Sequence, residues 1–128
     1  MNALLVDTSA WISYLSNRGE PEIDLALEEG RVYLSPVVAA ELLSGKLSAL
    51  ERTKLTRLFR ELPVCGADLE HWIRVGNLHS TLLTKNLLVS TPDAHIAQCA
   101  LDLDCYLLSE DKVFARIAKA TDLRLYRN

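Results

Sequence analysis

The stretch LLVDTSAWI, Leu4 to Ile12, constrains this chain more than any other. It opens on a short apolar run, Ala3 to Val6, of the length that reads as a buried strand. The run ends in a carboxylate, Asp7. Thr8 and Ser9 follow as candidate N-caps of a helix that carries Ala10, Trp11 and Ile12. Asp7 thus stands where a strand stops and a helix starts, the crevice where ligands bind in open α/β sheets. Alone, Asp7 reads equally well as a capping or turn residue. What matters is whether other carboxylates converge on it.

Short strands alternate with helices along the rest of the chain. A short helix over 10–16 breaks at Ser16-Asn17-Arg18-Gly19, and Pro21 opens a second helix that Gly30 ends. Arg31 to Leu34 is a strand. Ser35-Pro36 is a cap followed by proline at the first helical position, and opens a helix to Ser44. Ser48 with Glu51 forms a capping box for a helix to about Leu62, and Pro63 to Cys65 reads as a short strand. Asp68 caps a long helix to about Lys85. Thr91-Pro92 repeats the cap-and-proline device and opens a helix through Leu103. Tyr106 to Leu108 is a strand, Lys112 to Thr121 a helix and Leu123 to Tyr126 a last strand. This alternation implies parallel pairing and an α/β sandwich in a single domain, residues 1–128, with no repeat or linker.

Four acids stand out by position. Asp7 ends the first strand, and Asp111 follows the strand Tyr106 to Leu108. Asp93 lies in the first turn of its helix and shares a face with Ala97 and Ala100, small residues that permit close packing. Glu41 shares a helical face with Val37 and Val38. A carboxylate on an apolar stripe is costly unless it is paired or metal-bound. Clustered carboxylates with no Lys or Arg at hand point to a hard divalent cation, Mg²⁺ or Mn²⁺. Such ions can bridge a phosphodiester, activate a water and stabilise the leaving oxygen. Thr8, Ser9 and Ser109 supply hydroxyls to hold the acids or contact a phosphate.

These residues carry a resemblance. LLVDTSAWI, VVAAELLSG, STPDAHIAQCA and LLSEDKVF are similar to the four acidic motifs of the PIN domain, in family order across nearly the whole chain. Size and layout resemble the VapC toxins of type II toxin–antitoxin pairs. The resemblance implies a three-layer α/β/α sandwich with a short, mainly parallel central sheet and many helices. It also implies a metal-dependent ribonuclease that cuts single-stranded or loop RNA and is silenced by a VapB-type antitoxin. By position, Asp7, Glu41, Asp93 and Asp111 are its catalytic and metal-binding acids, with Mg²⁺ or Mn²⁺ as cofactor; Thr8 and Ser109 match its frequent hydroxyl positions. Two departures concern turns: Asp104-Cys105 stands where a glycine is common before the fourth motif's strand, and Asn86 replaces a frequent glycine ahead of the third.

The chain holds 17 acids against 14 basic residues, a net charge of −3 that by itself argues against a nucleic-acid binder. Setting the four acids aside leaves 13 against 14, a slightly basic remainder. Lys46, Arg52, Lys54, Arg57 and Arg60 face Glu51 alone between residues 46 and 60, a basic stretch able to guide RNA phosphates. Trp11, Ile12 and Leu15 on a short helix, with the Leu-rich helices after Ser48 and Asp68, offer more apolar surface than a small core needs. A homodimer is expected, with a groove for an antitoxin segment that sets a basic side chain near the acids.

Other readings fit less well. A receiver domain needs its phosphorylated Asp after a central strand and a Lys after a later one, whereas Glu41 follows a proline-initiated helix start and Lys112 sits inside a helix start. A dehalogenase-type phosphatase needs a second Asp two residues after the first; Ser9 stands there. A non-catalytic PIN-like module would lack one of the acids. A PIN nuclease of RNA processing or repair is the nearest rival. No apolar run reaches a membrane span, and the N-terminal run lacks the basic segment and cleavage site of a signal peptide, so the expected compartment is the cytosol. Cys65, Cys99 and Cys105 form no C-x-x-C pair and read as small buried hydrophobes, with no support for disulfides or zinc. His71, His79 and His95 show no ligand spacing and are expected at surface or half-buried positions.

Overall fold

The computed structural model describes residues 2–127. Leu4, Leu5 and Val6 form strand β1 (Leu4–Val6), and all three are buried. Successive strand residues point to opposite faces, so a strand buried at every position is covered on both sides. That is the sandwich. β1 lies in the interior of a sheet whose order is β2-β1-β3-β4, with β2 (Val32–Tyr33), β3 (Tyr106–Leu108) and β4 (Arg124–Leu125). Every neighbouring pair is parallel. Parallel strands need long crossovers, which the helices supply.

Between β1 and β2 run α1 (Thr8–Ser13) and α2 (Pro21–Glu28). Then come α3 (Pro36–Leu43), α4 (Ala49–Arg60), α5 (Leu69–Thr84) and α6 (Thr91–Leu103), with α7 (Val113–Ala120) joining β3 to β4. Among the described residues no helix is long and apolar enough to cross a membrane. Trp11 is fully buried and meets Phe59 of α4 edge-on at 6.0 Å between ring centres.

Several local readings need correction. The cap of α1 is Asp7 itself, whose Oδ1 accepts from Ala10 N, and not Thr8 or Ser9. The cap of α6 is Ser90 rather than Thr91; its hydroxyl accepts from Asp93 N at 3.1 Å. The helical chain after α1 does not break at Ser16. It widens into a π-turn over Tyr14–Arg18 and stops at Gly19, φ 68°. Asp68 flanks α5 without a side-chain cap bond. The expected strand at Pro63 to Cys65 is a single bridge between Leu34 and Val64. His71 and His95 are buried outright, and only His79 is half-buried.

The two glycine departures have a clean physical reading. Asn86 and Asp104 are the only non-glycine residues with positive φ among the described residues, at 60° and 49°. Each ends a helix in a Schellman motif. Leu87 N reaches Leu82 O and Asn86 N reaches Leu83 O; Cys105 N reaches Ala100 O and Asp104 N reaches Leu101 O. Asn and Asp are the side chains that best tolerate the left-handed region in glycine's absence. Asn86→Gly should therefore be neutral or stabilising by up to about 1 kcal/mol, and Asn86→Ala should cost roughly 1–2 kcal/mol. Urea denaturation midpoints at constant m-value check both.

Candidate active site

Parallel pairing sets the site. β1 and β3 are in register from Leu4 opposite Tyr106 to Val6 opposite Leu108, so the residues that leave both strands emerge side by side. Asp7 N continues the ladder to Leu108 O at 3.1 Å. Asp7 is 6% exposed. Its carboxylate is held from both sides, with Ser9 Oγ donating to Oδ1 at 2.7 Å and Ser109 Oγ donating to Oδ2 at 2.7 Å. These hydroxyls also order the loop after β3. Ser9 Oγ accepts from Glu110 N and Ser109 Oγ from Asp111 N, each at 2.9 Å. Asp111 Oδ1 in turn accepts from Val113 N at 3.0 Å, fixing the start of α7.

Glu41 arrives from the other side. Ser35 caps α3, accepting from Val37 N and Val38 N, and the helix carries Glu41 on an exposed position rather than within a buried stripe. Thr8 Oγ1 donates to Glu41 Oε1 at 2.6 Å, joining α1 to α3. Asp93 sits in the first turn of α6, half-buried, and Ala97 and Ala100 on its face are buried as the spacing predicts. Asp7, Glu41, Asp93 and Asp111 line one open cleft of about 270 Å³, together with Thr8, Ser9, Ile12, Pro92, Ile96 and Phe114. The sequence reading missed Ser90, which anchors the backbone of Asp93. Serine three residues before an acid in a first turn was a usable signal, hidden by the more conspicuous Thr-Pro pair.

The electrostatics follow from the geometry. Burial raises the Asp7 carboxyl above its ordinary range, the hydrogen bonds from Ser9, Ser109 and Ala10 oppose this, and Asp111 adds repulsion. Burial also raises Asp93; a hydrogen bond with Ser90 opposes this, while Asp111, Asp7 and Glu41 all push the same way as burial. One carboxyl senses the other three. Among the described residues no Lys or Arg pairs with any of them. A converging set of oxygen donors with unbalanced negative charge fits a hard divalent cation.

The chain is similar to known proteins over nearly its whole length. The family profile described as the PIN domain matches residues 4–120. The VapC ribonuclease of Mycobacterium bovis is 29% identical over 128 aligned residues, covering 94% of this chain and 96% of that protein. Ribonuclease VapC11 of Mycobacterium tuberculosis gives the same figures, 29% with 94% and 96% covered. Among solved structures, DNA-bound VapBC from Salmonella typhimurium superposes with a TM-score of 0.76 at 22% identity, covering 98% of this chain and 97% of that one. VapBC2 from Rickettsia felis, bound to a promoter DNA fragment, gives a TM-score of 0.76 at 19% identity with 96% of both chains covered.

Raised carboxyls make a stability forecast with a definite sign. Ionising Asp7 or Asp93 costs the metal-free fold stability; the cost is full above the raised folded value and fades as pH falls toward 3.8, the unfolded value. Asp7→Asn removes that cost at nearly constant volume. At neutral pH in EDTA it should melt higher than wild type, by roughly 3–6 °C for about 1 kcal/mol. The gap should close as pH is lowered to about 4, and Mg²⁺ should raise the wild-type melting temperature more than the variant's. Paired melting curves check this; a variant that melts lower in EDTA means Asp7 acts only as a cap.

Proposed function

The chain belongs to the PIN domain family, and from that membership we propose that it is a metal-dependent endoribonuclease, the toxin of a VapBC-type pair. The observation that carries the reading is the cleft in which Asp7, Glu41, Asp93 and Asp111 meet, with no Lys or Arg paired to them among the described residues. Residues 1–128 act as one nuclease domain on single-stranded or loop RNA. The name and activity of the mycobacterial relatives support the substrate class.

The four acids would hold Mg²⁺ or Mn²⁺. Once bound, the metal supplies activation of a water and neutralisation of charge developing at phosphorus. The protein's own part is positioning. Ser9 and Ser109 fix both oxygens of Asp7, Thr8 fixes Glu41, and the Ser90 cap fixes the turn that presents Asp93. None of these needs to move for the acids to meet, so the donors are pre-set. Among the described residues the cleft is lined by no His, Lys or Arg, so no side-chain cation faces the phosphate and the charge there falls to the metal the acids would hold. Water attack with departure of the 3′ oxygen is the reaction such a site favours.

Surface chemistry suits the expected partners. Ile12, 54% exposed, stands on the rim of the cleft, and Leu15 on the same side of the chain is 44% exposed. An antitoxin segment with apolar contacts here and a basic side chain over the acids would block the site. VapB-like proteins are the partners in the VapBC structures that this fold matches. Leu50 and Leu88, 63% and 79% exposed, offer apolar area to a second copy in a homodimer. Arg52, Lys54, Arg57 and Arg60 are all exposed on α4, where their charge would attract RNA phosphates.

Incubation of purified protein with single-stranded RNA should give cleavage that depends on Mg²⁺ or Mn²⁺ and leaves 5′-phosphate and 3′-hydroxyl ends. Asp7→Asn and Asp93→Asn should lower the rate by a hundredfold or more, the scale of one lost transition-state contact. Undiminished cutting in excess EDTA, or 2′,3′-cyclic phosphate ends, would overturn the mechanism. Light scattering at micromolar concentration should give the mass of a dimer; a monomer removes that part of the reading.

A further inference from the structure

Away from the cleft, a second set of reactive side chains gathers in the interior. His71, His95 and Cys99 are at most 1% exposed, and Cys65 is buried beside them. His71 Nε2 and His95 Nδ1 lie 2.7 Å apart. Cys99 Sγ is 3.8 Å from the first nitrogen and 3.7 Å from the second. The Cys65 thiol donates to Leu34 O at 3.6 Å and lies alongside Cys99. One ligand atom from each of His71, His95 and Cys99 falls within 4.8 Å of the others.

The outer side of each ring is also fixed. His71 Nδ1 is 2.9 Å from Asp102 Oδ2, and Asp102 is gripped in turn by both Arg74 nitrogens, each at 2.9 Å, and by Gln98 at 2.8 Å. His95 Nε2 is 2.6 Å from Ser35 Oγ. A ligating histidine ordinarily has its distal nitrogen held by a hydrogen bond, a carboxylate being one of the usual holders. Gly66 lets the backbone close on the group at φ 68°. A Cβ there would fall 2.6 Å from His95 Cε1, 2.9 Å from His71 Nε2 and 3.0 Å from Cys99 Sγ.

We propose that Cys65, His71, His95 and Cys99 form a structural zinc site, separate from the carboxylate cleft. Two imidazoles and one thiol within 4.8 Å of one another, with a second thiol alongside in a dry interior, supply the donor types of closed tetrahedral zinc. The carboxylate cleft offers only oxygen, so the two sites select different metals. The proton balance is simple. Without metal, His95 Nδ1–H donates to His71 Nε2, His71 Nδ1–H to Asp102, and the Ser35 hydroxyl to His95 Nε2. Zinc takes the inner nitrogens, so the His95 proton moves to Nε2 and donates to Ser35 Oγ, and two thiol protons leave to solvent. Two thiolates then offset the charge of the ion. The nitrogen pair opens from 2.7 Å to about 3.3 Å, the edge of a tetrahedron with bonds near 2.05 Å. The ion would tie α5 and the Cys65–Gly66 segment to α6, the helix that presents Asp93.

The test uses the full chain expressed in zinc-supplemented medium. Elemental analysis after gel filtration should find stoichiometric zinc in wild type and in Asp93→Asn, and a several-fold loss in Cys99→Ser and Cys65→Ser. Co²⁺ added to the demetallated wild type should give a thiolate charge-transfer band and the visible bands of a tetrahedral ion. That spectrum needs no variant to fold. Wild type without zinc above the buffer blank and without a Co²⁺–thiolate band would overturn the site, leaving the four groups as a hydrogen-bonded core. So would zinc that survives Cys99→Ser but leaves Asp93→Asn, since it would belong to the carboxylates.

Discussion

A negative charge kept in the interior without a positive partner is the constraint from which the rest of this structure follows. Asp7 can be buried only because Ser9 and Ser109 each donate a hydroxyl to it and Ala10 N caps it from within α1. A buried carboxylate lacking such donors would cost several kcal/mol. The donors come from opposite ends of the chain, so β1 and β3 must be neighbours, parallel and in register. Those same two hydroxyls accept the backbone N–H groups of Glu110 and Asp111. One small polar knot therefore determines strand order, the start of α1 and the path of the loop carrying the fourth acid.

Much of this was legible in the sequence because the signals were local. The proline-initiated starts of α2 and α3 and the Ser48–Glu51 capping box each depend on a few adjacent residues, and each formed where expected. Asp7, Asp93 and Asp111 were legible because each stands at or beside an element's end, and ends are where parallel sheets gather residues. Caps were read less well, since Asp7 and Ser90 compete with neighbouring hydroxyls for the same role and tertiary contacts decide between them. Glu41 looked like an intruder on an apolar face, yet α3 turns that position outward and Thr8 meets it there.

What stayed hidden was the histidine and cysteine group. His71 and His95 are 24 residues apart and lie on different helices, so no spacing rule joins them. One hint existed: His95 and Cys99 stand at a spacing of four on α6, which puts them on one face. α6 is buried over most of its circumference, and it uses that position for two purposes. Asp93 at its first turn looks into the cleft, while His95 and Cys99 look into the opposite interior, so the packing of a single helix governs both.

Ser109 and Asp7 are separated by 102 positions in sequence. Interior strand β1 is made about a hundred residues before its partner β3. A ribosome adding about 5–20 residues per second needs roughly 5–20 s to travel from Asp7 to Asp111. Throughout that interval the acids belong to a chain that has no β3, no Ser109 and no way to bury Asp7. The cleft that gathers the four acids therefore cannot be completed before Ser109 has been made. Parallel pairing between strands about a hundred residues apart thus delays assembly of the cleft until β3 and the loop behind it have been added, without any separate device.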